Sequence, residues 1–270
     1  MKITTQQVAL IAIFAALFYV LSLIAPIRIP TGIGMIEISF AAMIATVFGL
    51  ILGPYLGAAA ALLGSSVTWA LMGMSPYGAP FILAPMFNAL IAGLIFYKKW
   101  KYAFVVFGVM IFAFLFTPPV SPITGQTVLA GVAVDHWFMA AATVFDKVIA
   151  LLLILPLAFF GKKLSIAYGS AFFFILGFIG NEADNMFGTL MYVTPPVYEG
   201  IFGFSLEVVQ VGLLASPFLY PAVRIIQALI AMLIAVPLLR VLRNSRWLWS
   251  EDNLFSQTPT SPSSATSAAQ

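Results

Sequence analysis

Apolar runs of near-spanning length recur along almost the whole chain, separated by Pro, Gly and short polar stretches. Read between charges and turn residues, they predict helices near Val8–Ala25, Ile36–Gly53, Tyr55–Gly73, Ala79–Tyr97, Tyr102–Thr117, Trp137–Phe160, Ser165–Gly180 and Pro217–Leu242. A bilayer core of ~30 Å takes ~20 mostly apolar residues at 1.5 Å each, which most of these runs approach. The expected fold is therefore an all-α polytopic transmembrane helical bundle over residues 1–249, with eight spans, or six plus two. From Ser250 the chain is rich in Ser, Thr, Pro and Ala without apolar period, and 250–270 is expected to be a disordered cytoplasmic tail.

Composition agrees with lipid as the solvent, since 62% of the 270 residues are hydrophobic and only 8% charged. The net charge of +3 does not point to nucleic acid, because the basic residues flank apolar spans. With the N-terminus inside, Lys2, Lys98, Lys99, Lys101, Lys162, Lys163, Arg240, Arg243 and Arg246 all fall on the cytoplasmic side, which requires an even number of spans and puts both termini in the cytoplasm. Arg28 is the exception on an outer loop, while Lys147 and Arg224 lie inside spans. The first run lacks an obvious cleavage site before Arg28 and is read as a retained helix. Zero cysteines exclude disulfides, thiolate metal sites and cysteine nucleophiles.

Small residues mark close helix approaches. Ala9, Ala12 and Ala16 leave one face of the first helix without bulk, suited either to internal packing or to docking of a partner protein. Gly49, Gly53 and Gly57 repeat every four residues across Pro54 and predict a tight hairpin of the second and third helices.

Ionisable and polar groups inside spans are costly, so each is a candidate for function and is expected to have a partner. Tyr220, Arg224 and Gln227 share one face of the last helix. Asp146 and Lys147 lie near mid-membrane about 100° apart around their helix, and so are expected to meet partners on different helices, or water. Ion pairing and ligand binding are both open for them. Asn181, Glu182, Asp184 and Asn185 form a polar run between apolar stretches, which predicts a break, kink or protruding turn and a binding role. Asn88 lies in mid-helix, and Trp69, Met72 and Tyr77 read as anchors at the bilayer interface or, together with the loops, as an aromatic lid. His136, the only histidine, reads as a hydrogen-bonded rim residue.

No Walker-type phosphate loop, zinc-protease motif or serine-nucleophile elbow occurs, so neither ATP hydrolysis nor a familiar intramembrane hydrolysis is expected, and no metal or cofactor is called for. An alanine-rich first helix with Ala12 and Ala16, a loop with Pro30 and Gly32, then Ile36-Glu37-Ile38-Ser39-Phe40 and Phe48-Gly49 to Gly53-Pro54-Tyr55-Leu56-Gly57 resembles the substrate-binding S components of energy-coupling-factor transporters. Ala92-Gly93-Leu94-Ile95-Phe96-Tyr97-Lys98-Lys99 and the last helix, Tyr220 to Arg243, fit as well.

The resemblance implies a non-enzymatic subunit of the cell membrane that captures a vitamin or similar micronutrient. It also implies a transmembrane coupling protein, touched by Ala12 and Ala16, and two cytoplasmic ATPases as partners, with the loops after helices one and three covering the ligand. The family has six helices; this chain carries about eight. The alternatives are a self-sufficient secondary transporter using Asp146, Lys147 and Arg224, and a membrane enzyme acting on a lipid.

Overall fold

The computed structural model describes residues 4–24, 27–30, 35–167 and 169–242. Lys2, Gly32, Arg243, Arg246 and the 250–270 tail lie outside the described residues, as do the side chains of Arg28, Glu37, Lys162, Lys163 and Arg240. The chain forms α1 (Thr5–Ser22), β1 (Ile27–Pro30), β2 (Met35–Ile38), α2 (Phe40–Leu52), α3 (Pro54–Leu71), a 3₁₀ turn at Ala79–Phe81, α4 (Ala84–Phe96) and α5 (Trp100–Phe114). It continues as β3 (Gln126–Leu129), β4 (Val132–Asp135), α6 (His136–Ala167), α7 (Gly169–Tyr192), the short α8 (Pro195–Tyr198) and α9 (Leu206–Leu242). The fold is a mostly helical membrane bundle with two antiparallel hairpins, β1–β2 and β3–β4, which the apolar pattern does not predict. Within the described residues Thr5–Ser22, Ala79–Phe96, His136–Gly161 and Tyr220–Leu239 are long and apolar enough to cross a bilayer.

Two sequence-based boundaries are corrected. The Ser165–Gly180 helix does not end or break at the polar run, because α7 continues to Tyr192 with Asn181–Asn185 in its interior. Asn181, Glu182 and Asn185 are buried against neighbouring helices and Asp184 is partly so, and the helical ladder continues through them. The last helix begins at Leu206 rather than Pro217, with Pro217, Pro221 and Pro237 inside it. Proline removes only one ladder donor each time, and the apolar stretches on both sides are long enough to stay helical. The loop expected over Asn181–Ser216 accordingly shrinks to the connection between Tyr192 and Leu206.

The start of α1 is fixed by a capping box in which the Thr4 hydroxyl accepts from Gln7 N–H at 3.3 Å and the Gln7 side chain accepts from Thr4 N–H at 2.9 Å. Between α2 and α3, Gly53 takes φ 84°, a left-handed conformation that Gly adopts without strain, and Pro54 starts the next helix. The expected α2–α3 hairpin is present. A Cβ at Gly57 would lie 2.5 Å from the Phe48 carbonyl oxygen and 2.7 Å from Gly49 Cα. The same glycines admit α4, since a Cβ at Gly49 would collide with the Ala89 carbonyl and one at Gly93 would come within 2.7 Å of Pro54 Cα. Three backbones therefore meet at one junction, as small residues allow in membranes.

Around it, α1 packs on α3, where Gly64 accepts Phe18 and Ala15, and α7 runs antiparallel to α4 with Phe87 stacked on Phe187. At the far end of that pair Phe96 lies against Phe172 and Phe173. Gly177 lets α9 approach α7 at Ala228 and Ala231.

Gly49→Ala is expected to destabilise the protein by about 1–3 kcal/mol, because the neighbour it strikes is backbone and cannot rotate away. Gly108→Ala on α5, where a Cβ meets only Leu151 at 3.9 Å, should be neutral or stabilising by up to ~1 kcal/mol. Thermal unfolding of both variants in detergent checks the contrast.

Candidate functional site

The bundle buries a set of groups that lipid cannot solvate. Asn88, Asn181, Glu182, Asp146, Lys147, Asn185 and Gln227 are all buried, while Asp184, Tyr220 and Arg224 are partly so. They come from α4, α6, α7 and α9, so the positions singled out along the sequence converge in space. Their roles in the geometry differ.

Asn88 and Asn181 form a knot between helices. Asn88 Oδ1 accepts from Thr46 Oγ1 of α2 at 2.6 Å, and its amide donates to the Ala42 carbonyl at 3.1 Å and to Asn181 Oδ1 at 3.4 Å. Asn181 donates in turn to the Gly177 carbonyl at 2.8 Å. Gly180 leaves the space, since a Cβ there would strike Asn88 Oδ1 and lie 2.9 Å from Thr46 Oγ1. Each bond answers a polar group that would otherwise be orphaned in an apolar interior, so α2, α4 and α7 are held in register. Thr46 belongs to this knot and is missed by reading the sequence, where one threonine in an apolar helix carries no signal.

The charged part lies on α6, α7 and α9. The expectation that Asp146 and Lys147 look to different helices is corrected for the strongest contact. Lys147 Nζ is 2.8 Å from Oδ1 and 3.0 Å from Oδ2 of its own neighbour Asp146, whose Oδ1 also accepts the Lys147 backbone N–H at 2.9 Å. Flexible side chains have closed the angle between adjacent helical positions. From another helix comes Glu182, whose Oε2 is 3.9 Å from Lys147 Nζ, and the ammonium also stands 5.8 Å from the centre of the Tyr220 ring.

Arg224 donates from Nη1 to Gln227 Oε1 at 2.5 Å, one turn along the same face. Its guanidinium is near enough to attract both Glu182 and Asp184, although among the described residues it forms no ion pair within 4.0 Å with either. Five buried polar atoms have no hydrogen-bond partner among the described residues: Glu182 Oε1 and Oε2, Asp184 Oδ2, Asn185 Nδ2 and Arg224 Nε. All five belong to α7 and α9, where buried polar groups call for partners that the described protein atoms do not supply.

Towards the Tyr192 end of α7 the site is followed by aromatic side chains. Above the Phe87–Phe187 pair, Phe202 meets Tyr77 at 5.4 Å, Tyr192 at 5.8 Å, Phe81 at 6.3 Å and Phe204 at 5.7 Å between ring centres. An aromatic cluster is therefore present, with Tyr77 in it. Trp69 instead donates to the Ser75 carbonyl at 2.7 Å, and Met72 is exposed. Phe202, at the centre of the cluster, was foreshadowed only by the aromatic run from Phe202 to Phe204. A cavity of about 480 Å³ lined by Tyr198, Glu199, Gly203, Phe204, Ser205 and Leu206 opens in the same connection.

His136 is hydrogen-bonded as expected, and it is buried at the start of α6. Its Nδ1 donates to the Pro122 carbonyl at 2.9 Å and Nε2 accepts from Thr127 Oγ1 at 2.7 Å, while Gln210 of α9 donates to Thr127 Oγ1 at 3.1 Å. On α1, Ala9, Ala12 and Ala16 are exposed, and the helix packs inward through Ala15 and Phe18.

Lys147→Met removes the ammonium facing two buried carboxylates and is expected to cost about 3–5 kcal/mol of stability. Asp146→Asn combined with Lys147→Met should cost less than the sum of the single changes, a coupling that a double-mutant cycle of unfolding free energies measures.

A comparison with protein families matches residues 2–158, more than half of the chain, to the ECF-type riboflavin transporter, S component family. No curated protein and no solved structure matches. The match takes in Asn88, Asp146 and Lys147, whereas Glu182, Asp184, Asn185, Tyr220, Arg224 and Gln227 lie beyond it. The family is one of substrate-binding transporter subunits for vitamin-like substrates, which removes the enzyme reading. On this match, together with its apolar helices and converging buried polar groups, the chain is a multi-pass membrane protein that belongs to the ECF-type riboflavin transporter S component family.

Proposed function

We propose that the protein captures a vitamin-like micronutrient at the outer face of the cytoplasmic membrane and delivers it inward when a transmembrane coupling protein and cytoplasmic ATPases drive it. The observation that carries the proposal is the set of unpartnered buried polar atoms on α7 and α9, in a chain of this family. Ligand groups would complete those hydrogen bonds, with Asp146 and Lys147 supporting Glu182 from behind and Tyr220 and Gln227 orienting Lys147 and Arg224. Asn88 and Asn181 fix the helices that carry the site. The ATPases are partners in this proposal because the sequence holds no phosphate loop of its own.

In the proposed arrangement α1 to α7 and α9 make eight passes, both termini are cytoplasmic, and the aromatic cover of Tyr77, Phe81, Tyr192 and Phe202 faces outward over the route of entry. The basic residues Lys98, Lys99 and Lys101 then face the cytoplasm, in keeping with the positive-inside rule. The exposed Ala9, Ala12 and Ala16 leave a smooth face on which a helix of the coupling protein can lie close.

Purified protein is expected to bind its ligand in the absence of any partner, and riboflavin, named by the family, is the first compound to test by titration calorimetry. Ala12→Leu with Ala16→Leu should leave that binding unchanged while reducing uptake by cells at least tenfold and abolishing co-purification with the coupling protein. Uptake that survives inactivation of the partner ATPases would instead favour self-sufficient transport. Because the chain has no cysteine, single cysteines report topology without background. Tyr77→Cys should react with an impermeant maleimide added outside intact cells, and Lys101→Cys only after the cells are opened.

A further inference from the structure

We infer that the ligand of the α7–α9 site carries a protonated nitrogen, such as an ammonium or amidinium, close to a hydrogen-bond acceptor. The inference rests on the substrate-capture reading and concerns what that site selects. Three of the five unpartnered atoms, Glu182 Oε1 and Oε2 and Asp184 Oδ2, are carboxylate oxygens, which accept when ionised. The other two, Asn185 Nδ2 and Arg224 Nε, are donors. The Asn185 amide stands beside the Glu182 carboxylate and can turn to it, so a complementary molecule offers N–H groups to the remaining carboxylate oxygens of the two acids and an oxygen or unprotonated nitrogen to Arg224.

The balance of charge points the same way. Lys147 is engaged by both oxygens of Asp146, at 2.8 and 3.0 Å, and reaches Glu182 only at 3.9 Å, beyond hydrogen-bond distance. Arg224 is the second cation of the cluster, attracting Asp184 and, less than Lys147 does, Glu182. With all five groups ionised, three carboxylates face two cations, so the cluster has an excess of one negative charge. Glu182 is fully buried, and water cannot screen that excess. A cationic ligand neutralises it and at the same time supplies the missing donors. A neutral ligand such as riboflavin would leave the excess in place unless one acid took up a proton, in which case the amide Glu182→Gln would serve as well as the native acid.

The test uses the full chain in lipid nanodiscs, incubated at pH 7 with a low-molecular-mass aqueous extract of yeast cells, washed, and analysed by mass spectrometry for what it retains. The expected result is a retained compound with a nitrogen protonated at that pH. Glu182→Gln and Asp184→Asn should retain roughly ten- to a hundredfold less of it, the range for losing one charge-assisted hydrogen bond. The lipid-facing Val105→Ala should retain it fully. A neutral or anionic compound, or undiminished retention by Glu182→Gln, overturns the inference while leaving substrate capture intact. Retention of nothing by the wild-type chain overturns the capture reading together with the inference. The charge of the wild-type ligand decides the matter even where a variant does not fold.

Discussion

In the interior of a membrane bundle no solvent competes for a buried charge, so the ammonium of Lys147 must be satisfied by the protein itself. It is satisfied by Asp146 at its own position on α6, and only secondarily by Glu182 from α7. That ordering shapes everything around it. Because Lys147 is answered mainly on its own helix, it reaches Glu182 only at 3.9 Å, and Arg224 on α9 adds a more distant attraction for Glu182 and Asp184. The three helices are thus linked by electrostatics that hold them together yet leave hydrogen-bonding capacity free between them.

The opposite side of the bundle is built on contact rather than charge. At the junction of α2, α3 and α4, Gly49, Gly57 and Gly93 bring backbone against backbone, where lipid offers no hydrophobic drive and close van der Waals fit has to do the holding. The Asn88–Thr46–Asn181 knot then fastens α7 to that rigid group. Helices that are each anchored to something stiff can keep unpaired polar atoms at a fixed spacing, as the proposed site requires, which a loose bundle could not, since its side chains would collapse onto one another.

Much of this was legible along the chain. The apolar period and the glycine spacing gave the long helices and the α2–α3 hairpin, because both follow from what lipid and close packing permit. The buried polar residues were legible for the same reason: each costs too much in lipid to be incidental. Their partnerships were not. That Asn88 meets Thr46 depends on how far α2 and α4 slide past one another, and that Lys147 folds back on Asp146 depends on rotamers, which spacing along a helix does not determine. The run from Asn181 to Asn185 looked like a loop because four polar residues outweigh local apolar context, yet neighbours from α4, α6 and α9 supply the polar surroundings that make a helix tolerable there. The strands of the β3–β4 hairpin are four residues each, too short for alternation to stand out.

The unbroken course of α7 has a wider consequence. Every backbone amide and carbonyl through Asn181–Asn185 lies in the helical interior, where the ladder between successive turns can use it, so any recognition proposed there falls to side chains. A binding surface made of side chains on a continuous rod can be rewritten one position at a time without disturbing the rod. If the proposed site on α7 and α9 is the one used, proteins of this architecture can diverge in what they admit by new residues on those helices while their packing stays the same.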